Sequence, residues 1–162
     1  MKRMAGIALL AAAALVQVTW APRLEVLGAF PNLVLIAVVA AAWTAGPRAA
    51  LVWACAGGLL LDLTSSGPIG PHALALMPGV YGIGFWARNL EQVNGLHVAL
   101  AATATTLLYS LALVLADGML GLFVPAPGVI LQLAIAAAAY NAILAPFVFE
   151  VLRRLQVRSE PV

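Results

Sequence analysis

Residues 58–73 read GLLLDLTSSGPIGPHA. An apolar run meets a lone carboxylate, Asp62. Two serines follow, then a cluster of glycine and proline, and then a second apolar run that begins near Pro71. Proline fixes φ and lacks an N–H, so it breaks a helix interior but suits a first helical turn. The stretch therefore reads as two helices joined by a break, with an acid just before the break. Only 9% of the 162 residues are charged, so an acid at this place marks a segment that does more than span lipid.

The rest of the composition points the same way. The chain is 64% hydrophobic with a mean hydropathy of +1.06, whereas a soluble domain is about half apolar and about a quarter charged. An all-α integral membrane protein follows, a single transmembrane domain covering residues 1–162. Six short helices use up the length and leave no room for a soluble catalytic domain. Cys55 is the only cysteine, which excludes an internal disulfide and a cysteine-based zinc cluster. The N-terminal Lys2-Arg3 and the apolar run after it resemble a signal peptide. Pro22 follows the one plausible cleavage point, so the run reads as an uncleaved first helix.

A bilayer crossing needs roughly 20 apolar residues. Spans are expected at about 4–20, 31–46, 49–66, 71–87, 96–122 and 128–152, divided by Pro22, Pro31, Gly46-Pro47-Arg48, the 65–71 cluster, Arg88–Gly95 and Pro125-Ala126-Pro127. Pro31 and Pro71 are expected in first turns. Basic residues in short loops set orientation. With the N-terminus inside, Lys2, Arg3, Arg48, Arg88, Arg153, Arg154 and Arg158 lie on the cytoplasmic side and Arg23 alone outside. The expectation is a compact bundle of six transmembrane helices with both termini cytoplasmic. Residues 64–71 then lie on the outer side, and part of the break lies at membrane depth. Irregular backbone there must be buried in protein or line a wet cavity, so a polar depression is expected on the outer face. An exposed turn above the headgroups is the alternative.

The polar residues within the spans fall on stripes. Thr103, Thr106, Ser110 and Asp117 share one face of the fifth helix, Cys55, Gly58, Asp62 and Ser65 one face of the third, and Gln132, Ala136 and Tyr140 one face of the sixth. Such stripes serve helix contacts in lipid or line a pocket. Asp62 either accepts bonds from N–H groups of the following turn, fixing the break, or contacts a partner or ligand. His72 reads as a capping or packing residue, and His97 begins the fifth helix on the other side, so the two cannot share a metal. Gly79, Gly82 and Gly84 form no phosphate loop and read as close-packing positions. Arg88–Gln92 reads as a solvated turn, and Arg153, Arg154 and Arg158 as anchors at anionic lipid. The basic residues are too few for a nucleic-acid surface. The candidate partner- or ligand-binding residues are Asp62, Ser65, Ser66, Pro68, Gly70, His72, Ser110 and Asp117.

Catalysis would need a nucleophile, a base and an oxyanion donor together. Ser65 or Ser66 with Asp62 and His72 matches no catalytic spacing. Asp62 and Asp117 lack the surroundings of an acid-protease or metal pair. The reading is a non-enzyme without cofactor or metal.

Gly58, Asp62, Ser65, Pro68, Gly70 and Ala73 form the pattern G-x-x-x-D-x-x-S-x-x-P-x-G-x-x-A, which resembles the rod shape-determining MreD family. Pro31-Asn32-Leu33 resembles that family's Pro-Asp-Leu, with Asn32 in place of the acid. The likeness covers nearly the whole chain. It implies a multi-pass subunit of the bacterial inner membrane within the cell-elongation machinery. It further implies a bitopic MreC-like partner and, through it, MreB filaments, the RodA glycosyltransferase and a penicillin-binding transpeptidase, supporting cell shape and lateral peptidoglycan synthesis. The family is also similar in fold to the S-components of energy-coupling-factor transporters, which makes a small-molecule-binding transporter subunit the alternative. Few aromatic residues are available to line a deep vitamin pocket.

Overall fold

A computed structural model describes residues 2–20, 23, 25, 28–65, 67–87, 89–90 and 92–157. Six helices account for nearly all of them: α1 (Lys2–Thr19), α2 (Leu33–Thr44), α3 (Pro47–Thr64), α4 (Pro71–Ala87), α5 (Gly95–Met119) and α6 (Pro127–Val157). The described residues form no strand. The breaks fall where glycine and proline place them. Pro47, Pro71 and Pro127 each open a helix.

Several helix ends differ from the sequence reading, α6 most, which runs to Val157 and not 152; two of the differences have a local cause. Pro31 is not in a first turn, because Asn32 caps α2 and its side chain accepts from the Leu35 N–H. α5 stops at Met119, short of residue 122. Gly121 adopts φ +68° there, the Gly121 N–H reaches the Gly118 carbonyl, and the Leu122 N–H reaches the Asp117 carbonyl. That pair of bonds is the Schellman stop, which needs the left-handed residue that glycine supplies.

α2 is the centre of the molecule. Every residue from Val34 to Ala42 is buried, as expected of a helix that is hydrophobic all round. The other five helices surround it, in the contact order α1, α3, α4, α5, α6. Among the described residues the backbones of α1 and α6 do not approach each other, so the ring is open between them. Close approach depends on small residues. A Cβ added to Gly58 would lie 2.2 Å from the Ala73 Cα, and one added to Gly79 would lie 2.4 Å from the Thr105 methyl. α4 therefore sits nearly backbone-to-backbone on α3 and tight on α5. Gly84 packs likewise against Pro47, but Gly82 faces open space, so the close-packing expectation fails at that glycine.

Two helical stretches, Gly95–Met119 and Pro127–Arg154, are long and apolar enough to cross a membrane by themselves. Ala8–Thr19 and Leu33–Thr44 are apolar but shorter. At 1.5 Å per residue, the 12 residues of α2 rise only about 18 Å, against roughly 30 Å of hydrocarbon. The length of α2 shapes the site described next.

Candidate functional site

The C-terminal ends of α1, α3 and α5 and the N-terminal ends of α2, α4 and α6 share one end of the bundle. α2 begins deep within it. Tyr109 and Thr106 of α5 lie level with Asn32, and α5 then continues eight residues to Asp117, about 12 Å further at 1.5 Å per residue. The space above the short central helix is a cavity of about 370 Å³, walled by α5 and α6 and flanked by residues 28–30 and His72.

The floor is a fixed polar network. The first N–H groups of a helix have no partner within it, and here three come from outside or from the cap. The Asn32 N–H donates to Asn141 Oδ1 (2.9 Å), the Val34 N–H to Gln17 Oε1 (3.0 Å) and the Leu35 N–H to Asn32 Oδ1 (2.9 Å). Asn141 Nδ2 donates to Thr106 Oγ1 (2.9 Å), and that hydroxyl donates to the Ala102 carbonyl (2.7 Å). Asn141 is fully buried. One amide thus joins α2, α5 and α6, and buried polar groups left unpaired are costly enough to fix this register. Tyr109 is buried and lines the cavity together with Asn32.

The 58–73 hairpin closes one side. Asp62 is 1% exposed. Its Oδ2 accepts from the Gly70 N–H (2.9 Å); its Oδ1 accepts from the His72 N–H (3.0 Å) and from His72 Nδ1 (2.8 Å). A carboxylate at the N-terminal end of α4 both satisfies free N–H groups and complements the helix dipole. Of the two readings of Asp62, the structure shows the first: the acid ties the break together. The His72 ring stands edge-on to Tyr109 with centroids 6.0 Å apart.

The sequence candidates therefore separate. His72, Ser110 and Asp117 line the cavity. Asp62 stands behind His72 and does not line it. Ser65 caps α3, with Oγ donating to the Asp62 carbonyl (2.9 Å), so this serine serves the backbone and not His72. Pro68 and Gly70 belong to the hairpin outside the cavity. Ser66 lies outside the described residues, as do Pro22, Arg88, Glu91 and Arg158. On α5, Thr106, Ser110 and Asp117 line the cavity but Thr103 does not, its hydroxyl returning to the Ala99 carbonyl (3.0 Å). On α6 the wall is Ile130, Leu133, Ala134, Ala137 and Asn141, and not the Gln132–Ala136–Tyr140 stripe. Gln17, Tyr109 and Asn141 were not singled out from the sequence. An amide within an apolar helix was the available signal for Gln17 and Asn141. No group of three or more metal-ligating side chains occurs among the described residues.

At the opposite end, Trp43 stands edge-on to Trp86 and Trp86 edge-on to His97. His97 completes a capping box with Asn94. Arg153 and Arg154 both pair with Glu150.

The rod shape-determining protein MreD family matches residues 2–155. The chain belongs to that family. Comparison with curated proteins and with solved structures returns no match. MreD is a family of shape-determining membrane proteins, which agrees with two helices able to cross a bilayer. The 58–73 pattern that carried the resemblance is the hairpin held by Asp62, and Asn32 of the family's Pro-Asp-Leu position is the α2 cap.

Proposed function

We propose that the chain is a non-enzymatic subunit of the bacterial cell-elongation complex, embedded in the inner membrane through six helices with both termini cytoplasmic. In this reading the cavity end faces outward and receives an MreC-like bitopic partner. Through that partner the subunit acts with MreB, RodA and a penicillin-binding transpeptidase in lateral peptidoglycan synthesis. Family membership supports the shape-determining role. The observation that carries the docking role is the cavity above α2: it is rigidly floored and bounded by the helices that form the bundle end. α3, α4 and α5 present exposed apolar residues such as Val52, Tyr81 and Leu111, which suit lipid.

Co-purification from the native membrane tests this. Substitutions in the cavity wall, such as Leu113→Trp or Ala137→Phe, are expected to release the partner at normal expression. Retention of the partner by both variants would remove the cavity from the docking site.

A second reading has one observation in its favour. About 370 Å³ with several converging polar groups falls within the size range of small-molecule pockets. A transporter S-component would retain a vitamin-like ligand through purification. Finding such a ligand would overturn the scaffold reading.

A further inference from the structure

Among the described residues, Asp117 is an acid of the cavity wall whose carboxylate the fold leaves unanswered. Its carbonyl is used in the α5 stop. Its half-buried carboxylate lines the cavity and meets no cation or hydrogen-bond donor among the described residues. It also sits in the last turn of α5, where the helix dipole is negative and disfavours an acid. Asp62, by contrast, has three donors. An ionisable group near membrane depth without a partner is a sign of function.

The remainder of the cavity lacks what an anion would require. No Lys or Arg is among the described lining residues. Arg23, the basic residue nearest in sequence to this end, stacks over Trp20 at 5.4 Å. Three helix N-termini face this end, and a free one could bind an anion. Those of α4 and α2 are occupied by the protein's own acceptors, Asp62 on α4 and Gln17, Asn32 and Asn141 on α2; that of α6 opens on Pro127, which has no N–H, and its Val129 and Ile130 N–H groups return to the Ala126 carbonyl. A phosphate-bearing headgroup would find no counter-charge. The walls between Asp117 and the floor are apolar, with Leu113, Val114, Ile130 and Leu133.

Size decides how a partner enters. A helix about 10 Å across with a 5.4 Å pitch displaces roughly 420 Å³ per turn. A cavity of about 370 Å³ is of that order, so a partner helix cannot lie in it lengthwise. It crosses the mouth and sends in a side chain.

We infer that the cavity is a receptor for one basic side chain of the docked partner, an apolar stem tipped with an ammonium or guanidinium, and that Asp117 is its counter-charge and specificity-determining residue. This rests on the docking reading above. A lysine or arginine near the partner's outer membrane boundary fits: its methylenes lie along the leucines and its charge meets Asp117.

The test uses the full chain in phosphatidylcholine nanodiscs, with hexylammonium, hexanol and hexanoate as probes and the unfolding midpoint as readout. Hexylammonium is expected to raise the midpoint most and hexanoate least. Asp117→Asn should weaken hexylammonium binding at least tenfold, and Asp117→Lys should reverse the order of the two ions. An equal hexylammonium shift in wild type and Asp117→Asn, or a preference of wild type for hexanoate, overturns the inference. In the native complex, Asp117→Lys should release the partner, and a basic-to-Glu change in the partner's outer juxtamembrane segment should restore it. If the probes behave as expected but Asp117→Lys keeps its partner, the docking reading fails while the cation site stands. Mass spectrometry that finds an aminophospholipid held by wild type and lost in Asp117→Asn would replace the side chain by a lipid and refute its assignment.

Discussion

Removing the Asp62 carboxylate should loosen the hairpin more than any other single change in it. Asp62→Ala strips acceptors from the Gly70 and His72 backbone N–H groups and from the His72 ring. A buried donor left without an acceptor costs about 1–3 kcal/mol. Both N–H groups are only part-buried, so about 1–2 kcal/mol each is the fitting share of that range. Loss of the negative charge at the start of α4 adds about 0.3–1 kcal/mol. The total is about 2–5 kcal/mol, or at least about twentyfold in the opening equilibrium at 1.4 kcal/mol per decade. Asp62→Asn is the internal control. Its carbonyl oxygen can occupy the Oδ1 position and keep both His72 bonds, so only the Gly70 bond and the charge are lost, and the cost falls to about 1–3 kcal/mol. Reversible unfolding in mixed micelles measures both. A cysteine in place of buried Leu61, in a Cys55→Ala background, reports local opening by its rate of maleimide labelling. An Asp62→Ala protein within 1 kcal/mol of wild type, or an Asn variant as damaged as the Ala variant, would refute the reasoning.

Other substitutions probe other parts of the frame. Gly58→Ala places a methyl 2.2 Å from the Ala73 Cα and should cost about 1–3 kcal/mol through forced separation of α3 and α4. Gly82→Ala meets nothing within 4 Å and should be neutral or stabilise by up to about 1 kcal/mol; equal effects of the two in thermal unfolding would contradict the packing described. Asn141→Leu leaves the Asn32 N–H without its acceptor and should destabilise by about 2–4 kcal/mol, coupled to Thr106→Val by 0.5–3 kcal/mol in a double-mutant cycle. Glu150→Gln disrupts two exposed ion pairs and should leave the thermal unfolding midpoint nearly unchanged, since exposed pairs contribute little.

Much of the frame was legible because local chemistry dictates it. Proline at 47, 71 and 127 follows a break and suits a first turn, and the Asp62–Gly70–Pro71 spacing lets a carboxylate reach the start of the next helix. The spacing of Thr106, Ser110 and Asp117 puts them on one face in any α-helix, which is why three cavity positions could be read in advance. The depth of α2 could not be read in that way. Its start at Leu33 depends on Asn32 winning the cap over Pro31, and on Gln17 and Asn141 arriving from helices far away in sequence. The same holds for the α6 wall. Gln132 and Tyr140 are the more conspicuous polar residues there, but the rotation of α6 against α2 and α5 turns Asn141 inward.

Recognition through the cavity above α2 is tested most directly by site-specific photo-cross-linking in intact cells. A photoreactive residue at Leu113, in the cavity wall, should form a covalent adduct with a bitopic partner, and the adduct should vanish in Asp117→Lys. The same residue at Tyr81, exposed on α4 and outside the cavity lining, should form none. Partner adducts from Tyr81 but not from Leu113 would contradict the account.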